Sequence, residues 1–308
     1  MFSKKLLIPL LSLSLLVTPA YSSHAAENAE AAKTSVEGQG MLSPSSSSES
    51  SESVFNGSGA GTSSEPVTDE RLETILKQVQ SQLPAENGTW AVFISDLVNG
   101  TEGSLNDQKM QAASLIKLYI MGAVYENYDQ ITGQYGRDSV DSNLYSMITV
   151  SDNDAANTLT TYLGGGDSAA GMQAVNSFCQ AHGYDQTHMG RMLLASNEND
   201  DNYTSVGDCG HLLQEIYKQD TSGYTHAADM FNLLKAQTRC NKIPAQLPEG
   251  VKTANKTGEL DNVENDARII YDSKNDIVIV FMSQNLSSAG SAQNTIATLS
   301  RTIYDYYN

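Results

Sequence analysis

The stretch "KMQAASLIKLYIMGAVYENY", residues 109–128, is apolar on almost every face from Leu115 to Val124, yet it carries Lys117 three residues after Ser114. A helix apolar all round is a buried one, and a buried ammonium is costly unless it is paired or used. Residues i and i+3 of a helix share a face, so Ser114 and Lys117 present Oγ and Nζ to one another. Ser114 also stands where the helix begins, among free backbone N–H groups that favour negative charge on or beside its oxygen. A lysine whose pKa is depressed by burial can accept the serine proton, which makes the pair a layout for an activated nucleophile. Taken alone, a serine that caps the helix and a lysine that snorkels outward explain the same two letters.

Residues 1–26, "MFSKKLLIPLLSLSLLVTPAYSSHAA", begin with Lys4 and Lys5, continue through an interrupted apolar run and end in small residues. This pattern predicts a cleavable secretory signal and therefore a secreted or extracytoplasmic protein, in a form that can associate with the cell wall. No other run is long and apolar enough for a transmembrane span. Residues 27–66 are Ala, Ser, Gly and Glu with almost no large apolar side chain, which predicts a flexible linker, and 67–308 suffice for one domain, expected to be a monomer. The formal charge of −18 argues against nucleic acid as a partner.

Outward from the opening stretch, "DERLETILKQVQSQL" puts Leu72, Ile75, Leu76, Val79 and Leu83 on one helical stripe, with Thr68 or Asp69 as its cap. "TWAVFISDLVNGTEGSLN" alternates and turns at Asn99-Gly100, a hairpin. A helical block follows from Ser114 to about Thr238. Strands return in "VKTANKTGEL", "DARIIYD" and "DIVIVFMSQ", before a helix with Ile296, Leu299, Ile303 and Tyr307 on one face. The expected fold is α/β of the α+β type: an antiparallel sheet flanked by N- and C-terminal helices, plus an all-helical lobe, with a cleft between.

Two further stretches join Ser114 and Lys117. "MITVSDNDAANTL" contains Ser151-Asp152-Asn153, and "VKTANKTGEL" contains Lys256-Thr257-Gly258. The order S-x-x-K, S-D-N, K-T-G resembles the signature of class A β-lactamases and penicillin-binding proteins. The resemblance spans residues 67–308. It implies Ser114 as the acylated nucleophile, Lys117 as its base and Ser151 as proton shuttle to the leaving nitrogen. It implies Asn153 on the substrate amide, Lys256 and Thr257 on the substrate carboxylate, and Gly258 leaving room along the strand. The backbone N–H groups of Ser114 and Glu259 would form the oxyanion hole. No cofactor or metal is implied, and the partner is a small β-lactam or a peptidoglycan stem peptide.

The chain also departs from that pattern. The interval from Ser114 to Ser151 is short for class A, which predicts a missing wall of the cleft. Ala267 stands where an arginine is usual, with Arg268 one place along and on the opposite face. In the loop "HMGRMLLASNENDDNYTS", aligning Arg191 with the family's arginine puts Met192 and Leu193 where a Trp-Glu pair is expected, so the hydrolytic base looks absent. A different path of this loop would swing Glu198 towards Ser114 as a replacement.

His182, His188, His211 and His226 lack metal-ligand spacing. Cys209 near the start of one predicted helix and Cys240 at the end of the next, joined by the turn "KQDTSG", predict a disulfide in an exported protein. Three function classes remain open: an acyl-serine hydrolase acting on β-lactams that is slow to deacylate, a penicillin-binding D-Ala-D-Ala peptidase or transpeptidase, and a non-catalytic cell-wall interaction module.

Overall fold

The computed structural model describes residues 70–308; the expected signal, the linker and the cap at Thr68 or Asp69 lie outside the described residues. The chain runs through α1 (Glu70–Gln80), β1 (Thr89–Asp96), β2 (Thr101–Leu105), β3 (Met110–Gln111) and α2 (Ile116–Glu126). The helical lobe continues with α3 (Tyr128–Tyr135), α4 (Arg137–Thr149), α5 (Asn153–Leu163), α6 (Ser168–Ala181), β4 (Tyr203–Thr204), α7 (Val206–Tyr217) and α8 (Ala227–Lys235). It closes with β5 (Lys252–Leu260), β6 (Val263–Tyr271), β7 (Ile277–Gln284) and α9 (Ala289–Tyr307).

Five strands form one sheet in the order β2-β1-β7-β6-β5, each neighbour antiparallel. Alternation decides which side chain faces which layer. Trp90, Val92 and Ile94 of β1 and Ile277, Ile279 and Phe281 of β7 face one core, with Ile75 and Val79 of α1 and Ile296, Leu299, Ile303 and Tyr307 of α9. Ala91, Phe93, Val278, Val280 and Met282 face the other core, shared with the helical lobe. Each large apolar side chain so buried contributes roughly 1.5–3 kcal/mol against the unfolded chain. The expected α+β architecture is therefore present. Among the described residues no helix is long and apolar enough to cross a membrane.

Two local expectations change. α1 stops at Gln80, so Leu83 reaches the same core from beyond the helix, partly buried. The helical block is interrupted by β4, which pairs with β3 through Met110–Thr204 and Gln111–Tyr203. Strands of two residues leave no alternation to detect.

The predicted Cys209–Cys240 bridge is not formed, and all three cysteines are free. Cys209 is buried against α2, where the Tyr119 hydroxyl donates to its Sγ at 3.4 Å. α8 ends at Lys235, well short of Cys240, and the segment after it carries Cys240 to the surface. α7 and α8 pack together, but α8 ends before Cys240, so their pairing does not bring the two sulfurs together.

Candidate active site

α2 is buried along nearly its whole length, and Lys117 has no exposed surface. The segment before it is a tight 3₁₀ turn, Ala113–Leu115, so Ser114 precedes the α-helix rather than beginning it. Ala113 enters that turn with φ +47°, and Ser151 has φ +62°; such strain in non-glycine residues persists only where the surroundings over-determine it.

Lys117 Nζ lies 3.1 Å from Ser114 Oγ, 3.1 Å from Ser151 Oγ, 2.6 Å from the Ser151 carbonyl and 2.7 Å from Asn153 Oδ1. The S-D-N segment divides its labour: Asp152 caps α5 by accepting from the Ala155 N–H, which leaves Ser151 and Asn153 to face Lys117. Burial lowers the Lys117 pKa to about 8, against a smaller upward pull from Asp152 and with a further downward push from Arg239. Lys256 Nζ donates to Ser151 Oγ at 2.9 Å and to the Thr257 carbonyl at 2.7 Å. Burial first, then the charges of Lys117, Arg239 and Lys242, depress the Lys256 pKa well below that of a free lysine. Ser151 Oγ therefore sits between two lysines, each able to release a proton to it.

β5 is the edge strand of the sheet and passes the serine turn at close range. A Cβ on Gly258 would stand 2.8 Å from the Ala112 carbonyl oxygen and 3.1 Å from Ser114 N, so only glycine lets the strand approach. This contact brings the Glu259 peptide alongside that of Ser114. Opposite Gly258 in the register, Asn265 donates to the Gln111 and Ala112 carbonyls at 2.9 and 3.2 Å, fastening β6 to the same turn.

The cleft at Ser114 is lined by Asn153, Leu193, Leu194, Asn197, Glu259 and Leu260 among others. Its loop wall is tied at the neck by Arg191 Nε to Asp201 Oδ1 at 2.6 Å, and Gln111 donates to Asp201 Oδ2 at 2.9 Å. Leu193 is buried, and the Asn157 side chain holds it by both its N–H and its carbonyl. No carboxylate occupies this position. Glu198 is exposed and is not among the residues lining the cleft, so the loop does not swing it towards Ser114.

Arg268 is buried on the far side of β6, where it donates to Thr253 and meets Asp266, away from the cleft as the alternation predicts. The cations near the site that the motifs do not reveal are Arg239 and Lys242. Arg239 Nη1 lies 3.0 Å from Glu259 Oε2, and Lys242 Nζ lies 2.7 Å from Glu259 Oε1. Both belong to the irregular segment between α8 and β5, which has no periodicity to mark them. Burial alone would raise the Glu259 pKa, but Lys242 and Arg239 hold its carboxyl below the usual range.

The sequence matches the family described as Beta-lactamase enzyme family over residues 71–138 and 133–307. Comparison with curated proteins finds no match. Among solved structures the chain is similar to PBP-A, at 22% identity and TM-score 0.66, covering 76% of this chain and 96% of that one. It is also similar to the β-lactamase from Sphaerobacter thermophilus, at 20% identity and TM-score 0.62, covering 76% and 95%. A further similar structure is a leucine-to-glutamate mutant of PBP-A in acyl-enzyme complex with penicillin G, at 22% identity and TM-score 0.65, covering 76% and 96%.

Proposed function

The chain belongs to the Beta-lactamase enzyme family, and on that premise we propose that it is an exported active-site-serine enzyme, acylated by β-lactams at Ser114 and slow to deacylate. The observation that carries this reading is the buried Lys117 Nζ 3.1 Å from Ser114 Oγ, with its pKa lowered to about 8. A pure binding module has no use for such a pair, and this sets the non-catalytic reading aside.

In the proposed reaction Ser114 Oγ attacks the lactam carbonyl carbon and its proton passes to Lys117. The oxyanion is held by the N–H groups of Ser114 and Glu259. As the intermediate collapses, the C–N bond breaks, and the nitrogen takes a proton from Ser151 Oγ, which is resupplied by Lys117 at 3.1 Å. Asn153 binds the substrate amide, and Lys256 and Thr257 bind its carboxylate. Arg239 adds positive charge on the same side.

Hydrolysis of the ester then needs a base to deprotonate water, and Leu193 offers none. This favours a second reading in which the acyl donor is a D-Ala-D-Ala stem peptide and the lifetime of the penicillin adduct is long. Export rests on the pattern of residues 1–26. The test is incubation with a fluorescent penicillin: one adduct by intact mass, lost in Ser114→Ala, is expected. An unmodified wild-type protein after prolonged exposure to several β-lactams would reject the reading, and the lifetime of the label separates rapid hydrolysis from stalling.

A further inference from the structure

Lys242 has no exposed surface, and its Nζ donates to Glu259 Oε1 at 2.7 Å and to Glu264 Oε2 at 2.8 Å. Those two glutamates face each other directly across the β5–β6 ladder. Like charges at such a position repel, and here both belong to the end of the hairpin beside Ser114. Glu264 is further fixed from α9, where Gln293 donates to its other oxygen at 2.8 Å, and its backbone carbonyl accepts from Ser283 Oγ at 2.7 Å. Glu259 has its second oxygen on Arg239 at 3.0 Å. Two cations and two carboxylates are therefore balanced, with the buried Lys242 at the centre, Glu264 buried beside it, and Arg239 on the solvent side.

The lysine has a firm base. The next residue's N–H, that of Ile243, donates to Asp266 Oδ2 at 3.1 Å, and Asp266 also accepts from Asn255 and meets Arg268. The chain at Lys242 is thus fastened to β6 independently of its own ammonium. Asn265 holds the serine turn from the same strand. β6 consequently carries both fasteners of the oxyanion frame: Asn265 for the peptide on the Ser114 side, and Lys242, through Glu259, for the peptide on the β5 side.

We propose that Lys242 is a positioning residue for acylation, bridging Glu259 and Glu264 so that the Glu259 N–H stays aimed at the oxyanion site beside Ser114. This rests on the acyl-serine reading above. Lys242 touches no reacting atom; it acts by keeping two opposed carboxylates together at the one place where a shift of the β5 peptide removes an oxyanion donor. Such a donor counts mainly in the transition state, so its misplacement lowers the acylation rate and leaves prior binding of the substrate nearly unchanged.

The test is stopped-flow acylation by benzylpenicillin, resolved into the dissociation constant of the noncovalent complex and the acylation rate, on wild type, Lys242→Met, Lys242→Arg and Glu264→Met. Lys242→Met is expected to acylate at least about tenfold more slowly with the dissociation constant within about twofold of wild type, and Lys242→Arg to recover most of the rate. Circular dichroism confirms that each variant is folded. If Lys242→Met does not fold, Glu264→Met decides, since it keeps Lys242 paired with Glu259 and removes only the cross-strand tie; a several-fold slower acylation is expected. A folded Lys242→Met, or Glu264→Met in its absence, that acylates at the wild-type rate overturns the proposal. Wild-type protein that never forms the adduct removes it together with the reading it rests on.

Discussion

The side chain of Asn157 grips Leu193 at both ends of the residue: its Oδ1 accepts from the Leu193 N–H at 2.8 Å, and its Nδ2 donates to the Leu193 carbonyl at 3.0 Å. The loop is therefore held in register with α5 at the point where its side chain lines the Ser114 cleft. An apolar side chain there shapes the wall and does no proton transfer.

Deacylation follows from that grip. Product formation from a chromogenic penicillin should show a burst of about one equivalent and then a slow phase, as accumulation of an acyl-enzyme requires. Leu193→Glu should accelerate the slow phase by at least about tenfold, a modest part of what a general base contributes. Glu198→Gln should leave it unchanged, because Glu198 is exposed and does not line the cleft. Rapid steady turnover abolished by Glu198→Gln would show that the loop takes another path in solution.

Acylation should depend on the neutral form of Lys117. Its pKa is lowered to about 8, chiefly by burial. The base is the deprotonated amine, so the rate should rise with pH through this value; at one unit below it about a tenth of the molecules carry the free amine. Stopped-flow acylation from pH 6 to 9 measures the limb, and Lys117→Arg should abolish it, since a guanidinium does not deprotonate in this range. A rate flat between pH 6 and 9 would remove Lys117 as the base.

Gly258→Ala tests the close approach of β5. The added methyl would stand 2.8 Å from the Ala112 oxygen and 3.1 Å from Ser114 N, both backbone atoms that have no rotamer to escape into. The strand and the turn must separate, and acylation should fall by about 10²–10³, the cost of losing one oxyanion donor. The readout is the acylation rate beside the melting temperature. Unaltered acylation would mean that the turn yields without cost.

The cysteines make a separate prediction. Burial raises the thiols of Cys179 and Cys209 to about 12, whereas Cys240 is exposed. A thiol reagent such as Ellman's should modify one cysteine in the native protein and three after denaturation without reductant. Only one reactive thiol after denaturation would restore the disulfide.

The order of the elements was legible in the chain because their periods were long enough to read. The stripe from Leu72 to Val79, the turn at Asn99-Gly100, the late strands and the face from Ile296 to Tyr307 each repeat a pattern set by local geometry. The same holds for Ser114 and Lys117, three residues apart on one short segment. Placing Lys256 against Ser151, by contrast, needs strand β5 to pass the end of α4. The motifs supported that juxtaposition by resemblance rather than by geometry.

What only tertiary structure decided lies in segments without periodicity. Arg239, Lys242 and Cys240 belong to an irregular stretch whose direction is set by partners far along the chain: Lys242 by Glu259 and Glu264, and Arg239 by Glu259 and by Arg268, which donates to its carbonyl. The disulfide expectation erred for that reason, since helix pairing fixes the axes of α7 and α8 but not the course of a loop beyond them. Likewise Asn157 was one polar residue on a helix until the loop returned to offer it the peptide of Leu193. Local sequence determined which residues form each element and which side each presents. Long-range hydrogen bonds and buried charge balance determined which of those residues meet at Ser114, because their energies depend on partners that no local pattern specifies.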